Sequence, residues 1–232
     1  MSARRQPEQQ APPVLKLRVQ YAKRGRARFA SHRDFGRAFE RALRRADIPM
    51  AFSSGFSPHP RISYANASPT GAATEAEYLE LGLAAFREPD AVRDALNAAM
   101  PDGLVIVKVV VAGPGALADR LTASVWRVDL PEADESELAA AVAGLLAAES
   151  FEVQRMTKTG LRTFDVRSAV RSLTASANGF DLVSAIGEPL VRPDDVLTAL
   201  RQLEPGLSGT GLITRLAQGT WDGQRILDPL AT

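Results

Sequence analysis

Residues 16–49 read KLRVQYAKRGRARFASHRDFGRAFERALRRADIP, and two periodicities within this stretch decide the fold. From Lys16 to Ala22, Leu17, Val19 and Tyr21 alternate with polar residues, the period-2 mark of a half-buried strand. From residue 32 the spacing changes to that of a helix. Phe35, Ala38, Phe39, Ala42, Leu43 and Ala46 form its apolar stripe, Ser31 stands as N-cap with Asp34 three residues on as a variant capping box, and Asp47-Ile48-Pro49 ends it.

Working outward, a Gly- and Pro-rich stretch, SSGFSPHPRISYANASPTG, is predicted to hold a strand around Ile62 to Ala65. In EYLELGL (77–83), Leu79, Leu81 and Leu83 share one face of a second strand antiparallel to the first. Pro89-Asp90 opens a helix with Val92, Ala95, Leu96 and Ala99 inward, Pro101-Asp102-Gly103 closes it, and LVIVKVVVA (104–112) is a β-rich run. The order βαββαβ is the ferredoxin-like pattern.

The order recurs after Gly113-Pro114-Gly115. Strands are predicted near Ser124 to Leu130, Phe151 to Met156, Phe180 to Ile186 and Leu212 to Ala217, with helices over Ser136 to Glu149 and Pro193 to Leu203. PDAVRDAL at 89–96 aligns with PDDVLTAL at 193–200, and Pro101 with Pro205 at the same offset, which reads as a duplication. The predicted fold class is therefore α+β, two tandem ferredoxin-like units with antiparallel sheets. The expected boundaries are a disordered tail at 1–14, a first unit at 15–112, a linker at 113–121, a second unit at 122–221 and a C-terminal tail at 222–232.

The chain has 232 residues and no cysteine, which excludes disulfides, thiolate metal sites, a thiol nucleophile and an iron–sulfur cluster held by this chain alone. MSARRQPEQQAPP has no apolar core of a signal peptide, and no run approaches the ~18 apolar residues of a membrane span, so a cytoplasmic protein is expected. Walker, GxGxxG and HExxH motifs and a nucleophile elbow are missing from the sequence. The net charge of +1 conceals a division: residues 16–61 hold 12 Lys and Arg against 3 acids, while the chain after residue 61 is acidic. A chain so divided attracts a polyanion to one region.

Within that region Arg33, Arg37, Arg41 and Arg44 recur at helical spacing opposite the apolar stripe, with Arg45 at the edge and Lys23, Arg24, Arg26 and Arg28 just before the helix. Guanidinium forks match phosphate oxygens, so such a row suits a nucleic-acid backbone; its plain alternative is a solvated face. In GFSPHPRISY (55–64), Pro58 and Pro60 flank His59, favour an extended polyproline-like path and hold His59 and Arg61 outward. Phe56 and Tyr64 offer faces for stacking a base, with a place in the core as the plainer role for Phe56. His59 and His32 are the weak catalytic candidates. Glu75, Glu77 and Glu80 suit a cation, a basic partner or plain solubility. Lys158, Arg162, Arg167 and Arg171 around a Thr159-Gly160 turn make a second, weaker basic patch.

SHRDFGRAFERALRRADIP, then SSGFSPHPRISYANASPTG, then EAEYLELGL, together resemble the signature of the radical-SAM-linked domain of unknown function. The match is dense from Leu17 to Leu83 and looser to Trp221, where KTGLRTFDVR resembles the second-half motif. Its motif positions here are His32, Asp34, Arg37, Glu40, Arg41, Arg44, Arg45, Gly55, Phe56, Pro58, His59, Pro60, Arg61, Glu75, Glu77 and Tyr78; Thr74-Glu75 departs from the usual residues before EAEY. The resemblance implies a partner: a radical SAM protein of cobalamin type carrying the iron–sulfur cluster, S-adenosylmethionine and cobalamin, often with a ribonuclease E/G family protein nearby. It implies no cofactor on this chain. The expected function is thus an RNA-binding accessory subunit serving RNA modification. The alternatives are a metal-independent endoribonuclease using His59 or His32, and a protein-protein scaffold.

Overall fold

In the computed structural model, residues 9–158 and 160–231 are described. The described residues form two compact units, one of residues 9–71, 75–118 and 230–231, the other of residues 72–74, 119–158 and 160–229.

The first unit runs β1 (Leu15–Lys23), a 3-10 turn (Gly25–Phe29), α1 (His32–Arg45), β2 (Ile62–Ala65), β3 (Ala73–Leu83), α2 (Pro89–Ala99) and β4 (Leu104–Val111). Its strands lie in the order β4-β1-β3-β2, with β1/β4 and β2/β3 antiparallel. The alternation of Leu17, Val19 and Tyr21 buries all three against α1 and α2 residues such as Phe35, Phe39, Val92 and Leu96. An aromatic ladder fastens α1 to the sheet: Tyr21 stacks on Phe35 at 3.9 Å between ring centroids, and Phe35 on Phe39 at 5.5 Å. Phe39 is wholly buried, so truncating it to Ala costs about 3–5 kcal/mol.

The opposite face of β1 is covered too, against the half-buried strand read from the alternation. Arg18 is 1% exposed, its Nε donating to Glu80 at 2.9 Å and its Nη2 to the Gly115 carbonyl at 2.5 Å. The first eight residues of the expected tail lie outside the described residues, but its remainder is held. The Gln10 N–H donates to Ser54 Oγ and the Val14 N–H to the Leu83 carbonyl.

The second unit contains β5 (Ala123–Asp129), α3 (Glu135–Ala147), β6 (Glu152–Thr157), β7 (Gly160–Asp165), β8 (Val170–Ser176), β9 (Gly179–Ala185), α4 (Pro193–Leu203), β10 (Leu212–Trp221) and β11 (Ile226–Leu227). The strand order here is β10-β5-β9-β8. Trp126, Val128, Leu145, Phe180, Leu182, Val196 and Leu200 are among its core residues. Two corrections follow. The 151–156 segment does not enter this sheet but pairs with β7 as a separate hairpin, and the place assigned to it belongs to β8. A register shift between Val170 and Ser172 puts the buried Val170 and Leu173 three apart, which erased the strand period. The sheet is also not purely antiparallel, because Ala73 and Thr74 run parallel to Thr214 and Arg215. The fold is thus mixed α/β with four helices among the described residues. Both Pro-initiated helices of the aligned motif span 11 residues. No described helix is long and apolar enough to cross a membrane.

Candidate nucleic-acid interface

The α1 helix is closed at both ends by its own side chains and backbone. Ser31 Oγ accepts from the Asp34 N–H while the Asp34 carboxylate accepts from the Ser31 N–H, the reciprocal box read from the sequence. At the far end Asp47 takes φ +52°, the Ile48 N–H bonds the Leu43 carbonyl at 3.1 Å and the Asp47 N–H bonds that of Arg44 at 3.3 Å. This is a Schellman closure with Asp in the left-handed position.

With Phe35, Ala38, Phe39, Ala42 and Leu43 inward, Arg33, Arg37, Arg41, Arg44 and Arg45 are exposed. Among the described residues their side chains make no hydrogen bond or ion pair. The Asp34 carboxyl is held below its usual range chiefly by its hydrogen bonds from Ser31, with Arg37 and Arg33 adding to the effect.

Other basic residues of the segment are drawn into the fold. Lys23, placed with the phosphate contacts by its charge, is only 5% exposed at the end of β1, which leaves little of it open to a polyanion. Arg24 is chelated by both oxygens of Glu75, which raises its pKa. Arg28 Nε donates to the Gly71 carbonyl at 2.6 Å and Arg61 Nε to the Phe52 carbonyl at 3.0 Å. Arg26 remains exposed in the 3-10 turn, whose Phe29 ring is 67% exposed. The carboxylates do not form one solvent-facing cluster. Glu75 takes Arg24 and Glu80 takes Arg18, while Glu77, 1% exposed, accepts from the Ser68 N–H; Tyr78 is also buried.

The loop after α1 is braced at its base. Ser53 N–H bonds the His59 carbonyl, Arg61 N–H that of Ala51, Ala51 N–H that of Gly82 in β3, and Gly82 N–H that of Arg61. Phe52 and Pro60 bridge as in an antiparallel pair. Extended backbone around the prolines is therefore hydrogen-bonded, not the solvated polyproline path expected from Pro58 and Pro60. Gly82 permits the close approach: a Cβ there would stand 2.9 Å from Pro13 and 3.1 Å from Arg61. At the tip Phe56 is 75% exposed, against a place in the core. Tyr64 is instead the half-buried aromatic, edge-on to Phe35.

Helix and loop meet at a cavity of about 280 Å³. Ile48, Met50 and Phe52 give it apolar walls, Pro58 and Pro60 a rigid rim, and Glu40, Arg44 and His59 its polar groups. Reasoning from charge singled out Arg44 and His59 but not Glu40 as part of a site, nor the apolar wall. The available signal was Glu40 one turn before Arg44 on the same helix face, followed by the apolar IPMAF. His32 stands apart from this lining, its ring edge-on to Tyr64 at 4.6 Å.

In the second unit Lys158 and Arg162 are exposed on the β6/β7 hairpin, and Thr159 lies outside the described residues. Arg167 is half-buried and donates to the carbonyls of Val170 and Leu146, and Arg171 donates to that of Ser168. Both are committed to chain folding.

A family model described as "Uncharacterized protein conserved in bacteria (DUF2344)" matches residues 16–193, well over half of the chain, and the chain belongs to that family. No curated protein matches the sequence. Among solved structures the chain is similar to one titled "Crystal Structure of an Unknown Protein from Galdieria sulphuraria", with 15% identity over 87% of this chain and 98% of that one and a TM-score of 0.28.

Proposed function

We propose that this family member is an RNA-binding accessory subunit that presents RNA to a separate radical SAM enzyme of cobalamin type. The observation that carries the RNA reading is the row of five exposed arginines on α1 without protein partners. Exposed guanidinium groups at helical spacing repel one another by a few tenths of a kcal/mol per pair, and phosphodiesters relieve that repulsion and accept from them at bidentate geometry. Exposed Phe56 and Phe29 add stacking faces of the kind single-stranded RNA uses.

The partner rests on the resemblance of the helix and loop motifs. The cluster, S-adenosylmethionine and cobalamin belong to that partner, since this chain has no cysteine to hold a cluster. Both strand orders, β4-β1-β3-β2 and β10-β5-β9-β8, support reading the two units as ferredoxin-like and duplicated, with β6/β7 inserted in the second.

Titrating labelled single-stranded RNA at 50 and 200 mM salt tests the binding. Affinity is expected to fall by about 10- to 100-fold, for roughly three to five phosphates neutralised. An unchanged affinity removes the phosphate-tracking role. His59 in the cavity beside Glu40 favours a second reading, endoribonuclease activity. Intact RNA after incubation with the parent protein disposes of it. Recovery of a radical SAM subunit that survives nuclease and Arg37/Arg41 substitution would instead favour a scaffold docked elsewhere.

A further inference from the structure

The cavity between α1 and the His59 loop has polar groups that the fold itself does not use. Among the described residues the side chains of Glu40, Arg44 and His59 make no hydrogen bond or ion pair, although Glu40 and Arg44 stand one helical turn apart, a spacing that favours a pair. Glu40 is half-buried and Arg44 and His59 are exposed at the rim, so polar groups open to a ligand stand beside apolar walls, the composition of a ligand cleft. At about 280 Å³ it lies just below the ~300–1,000 Å³ range of ligand clefts, which limits the occupant to a group the size of a single base.

We infer that this cavity receives one unstacked guanine of the bound RNA. The inference deepens the RNA reading and rests on it. A carboxylate offers two acceptors and no donor, whereas guanidinium and imidazole groups offer donors. Guanine alone among the four bases carries two adjacent donors, N1–H and N2–H, on one edge and two adjacent acceptors, O6 and N7, on another. Glu40 takes the donor edge and Arg44, with His59, the acceptor edge. Adenine and cytosine would turn a ring-nitrogen acceptor toward the carboxylate, and uracil has one donor between two acceptors. Phe52 and Met50 face the base plane, and Pro58 and Pro60 hold His59 with little freedom to lose. Arg44 also ends the arginine row, so an RNA strand tracked along α1 arrives at the cavity mouth.

The test uses two uridine nonamers, one with a central guanosine and one with a central adenosine, in fluorescence anisotropy with the full chain. The guanosine oligomer is expected to bind about 10-fold more tightly. Glu40→Gln, which replaces one acceptor by a donor, reduces that ratio toward one, while Arg41→Gln weakens both oligomers equally. A central 6-thioguanosine, photoactivated on the parent protein, crosslinks within residues 40–60. Salt-sensitive binding of both oligomers with equal affinity, a ratio kept by Glu40→Gln, or a crosslink elsewhere overturns the guanine site and leaves the RNA reading standing. Binding of neither oligomer overturns both.

Discussion

His32 meets Tyr64 edge-on, ring centroids 4.6 Å apart and planes at 85°, and this contact closes the underside of α1 over a phenol that has no hydrogen bond. Burial, and then the charge of Glu40, push the Tyr64 hydroxyl up to about 12. A group that resists ionising in the folded state stabilises below its unfolded pKa, near 10, and that contribution is lost as the pH rises toward 12. Tyr64→Phe removes an unsatisfied hydroxyl and is expected to stabilise the protein by about 1 kcal/mol in urea melts at neutral pH. It also flattens the loss of melting temperature between pH 10 and 12. A destabilised variant means that the hydroxyl has a partner in solution.

One position of α1 and one in the turn that closes it are occupied by residues that the helix does not favour. Asp47 holds φ +52° at the negative end of the helix dipole, and Asp47→Gly is expected to gain about 0.5–1 kcal/mol. At Gly36 a Cβ would stand 3.5 Å from the Tyr64 hydroxyl, an ordinary contact, so Gly36→Ala gains a similar amount from helix propensity. Chemical denaturation of each variant measures both, and a loss at position 47 contradicts the Schellman closure.

The capping box makes α1 sensitive to acid. The Asp34 carboxyl is depressed by its bonds from Ser31, and Asp134 and Asp222 are depressed by similar local bonds. Depressed carboxyls stabilise above their unfolded pKa, near 3.8, and that stabilisation disappears as pH falls through the lower folded values. The melting temperature should drop below pH 4, and Asp34→Asn should drop less over the same interval. Equal slopes for the two proteins exclude Asp34 as a contributor.

Buried and exposed bases of the same segment should separate cleanly. Lys23→Gln is expected to lower stability while leaving the salt slope of RNA binding unchanged, because the residue is buried. Arg37→Gln should leave stability within about 0.5 kcal/mol and reduce the salt slope by about 1. Parallel melts and titrations read both quantities, and the reverse pattern would exclude the arginine row as the RNA contact.

Much of the local structure of both units was legible in the sequence. Periods of two and 3.6, the Ser31/Asp34 box and the Pro89 and Pro193 helix starts depend on neighbours within about four residues, and the structure keeps them. β8 was not legible, since its bulge breaks the alternation and the adjoining β6/β7 hairpin offers a cleaner pattern.

For the candidate site, sequence alone determined that the positive charge is concentrated in residues 16–61 and that Arg33, Arg37, Arg41 and Arg44 share one helix face, because charge and helical angle are properties of the local chain. Only the tertiary structure decided which cations remain available. Lys23 is buried at a strand end, Arg24 is taken by Glu75 across 51 residues, and Arg18 by Glu80 across 62. It also decided that Glu40 and His59, 19 positions apart, open onto one cavity. Such long-range neighbours follow from chain closure and packing, which no local period records.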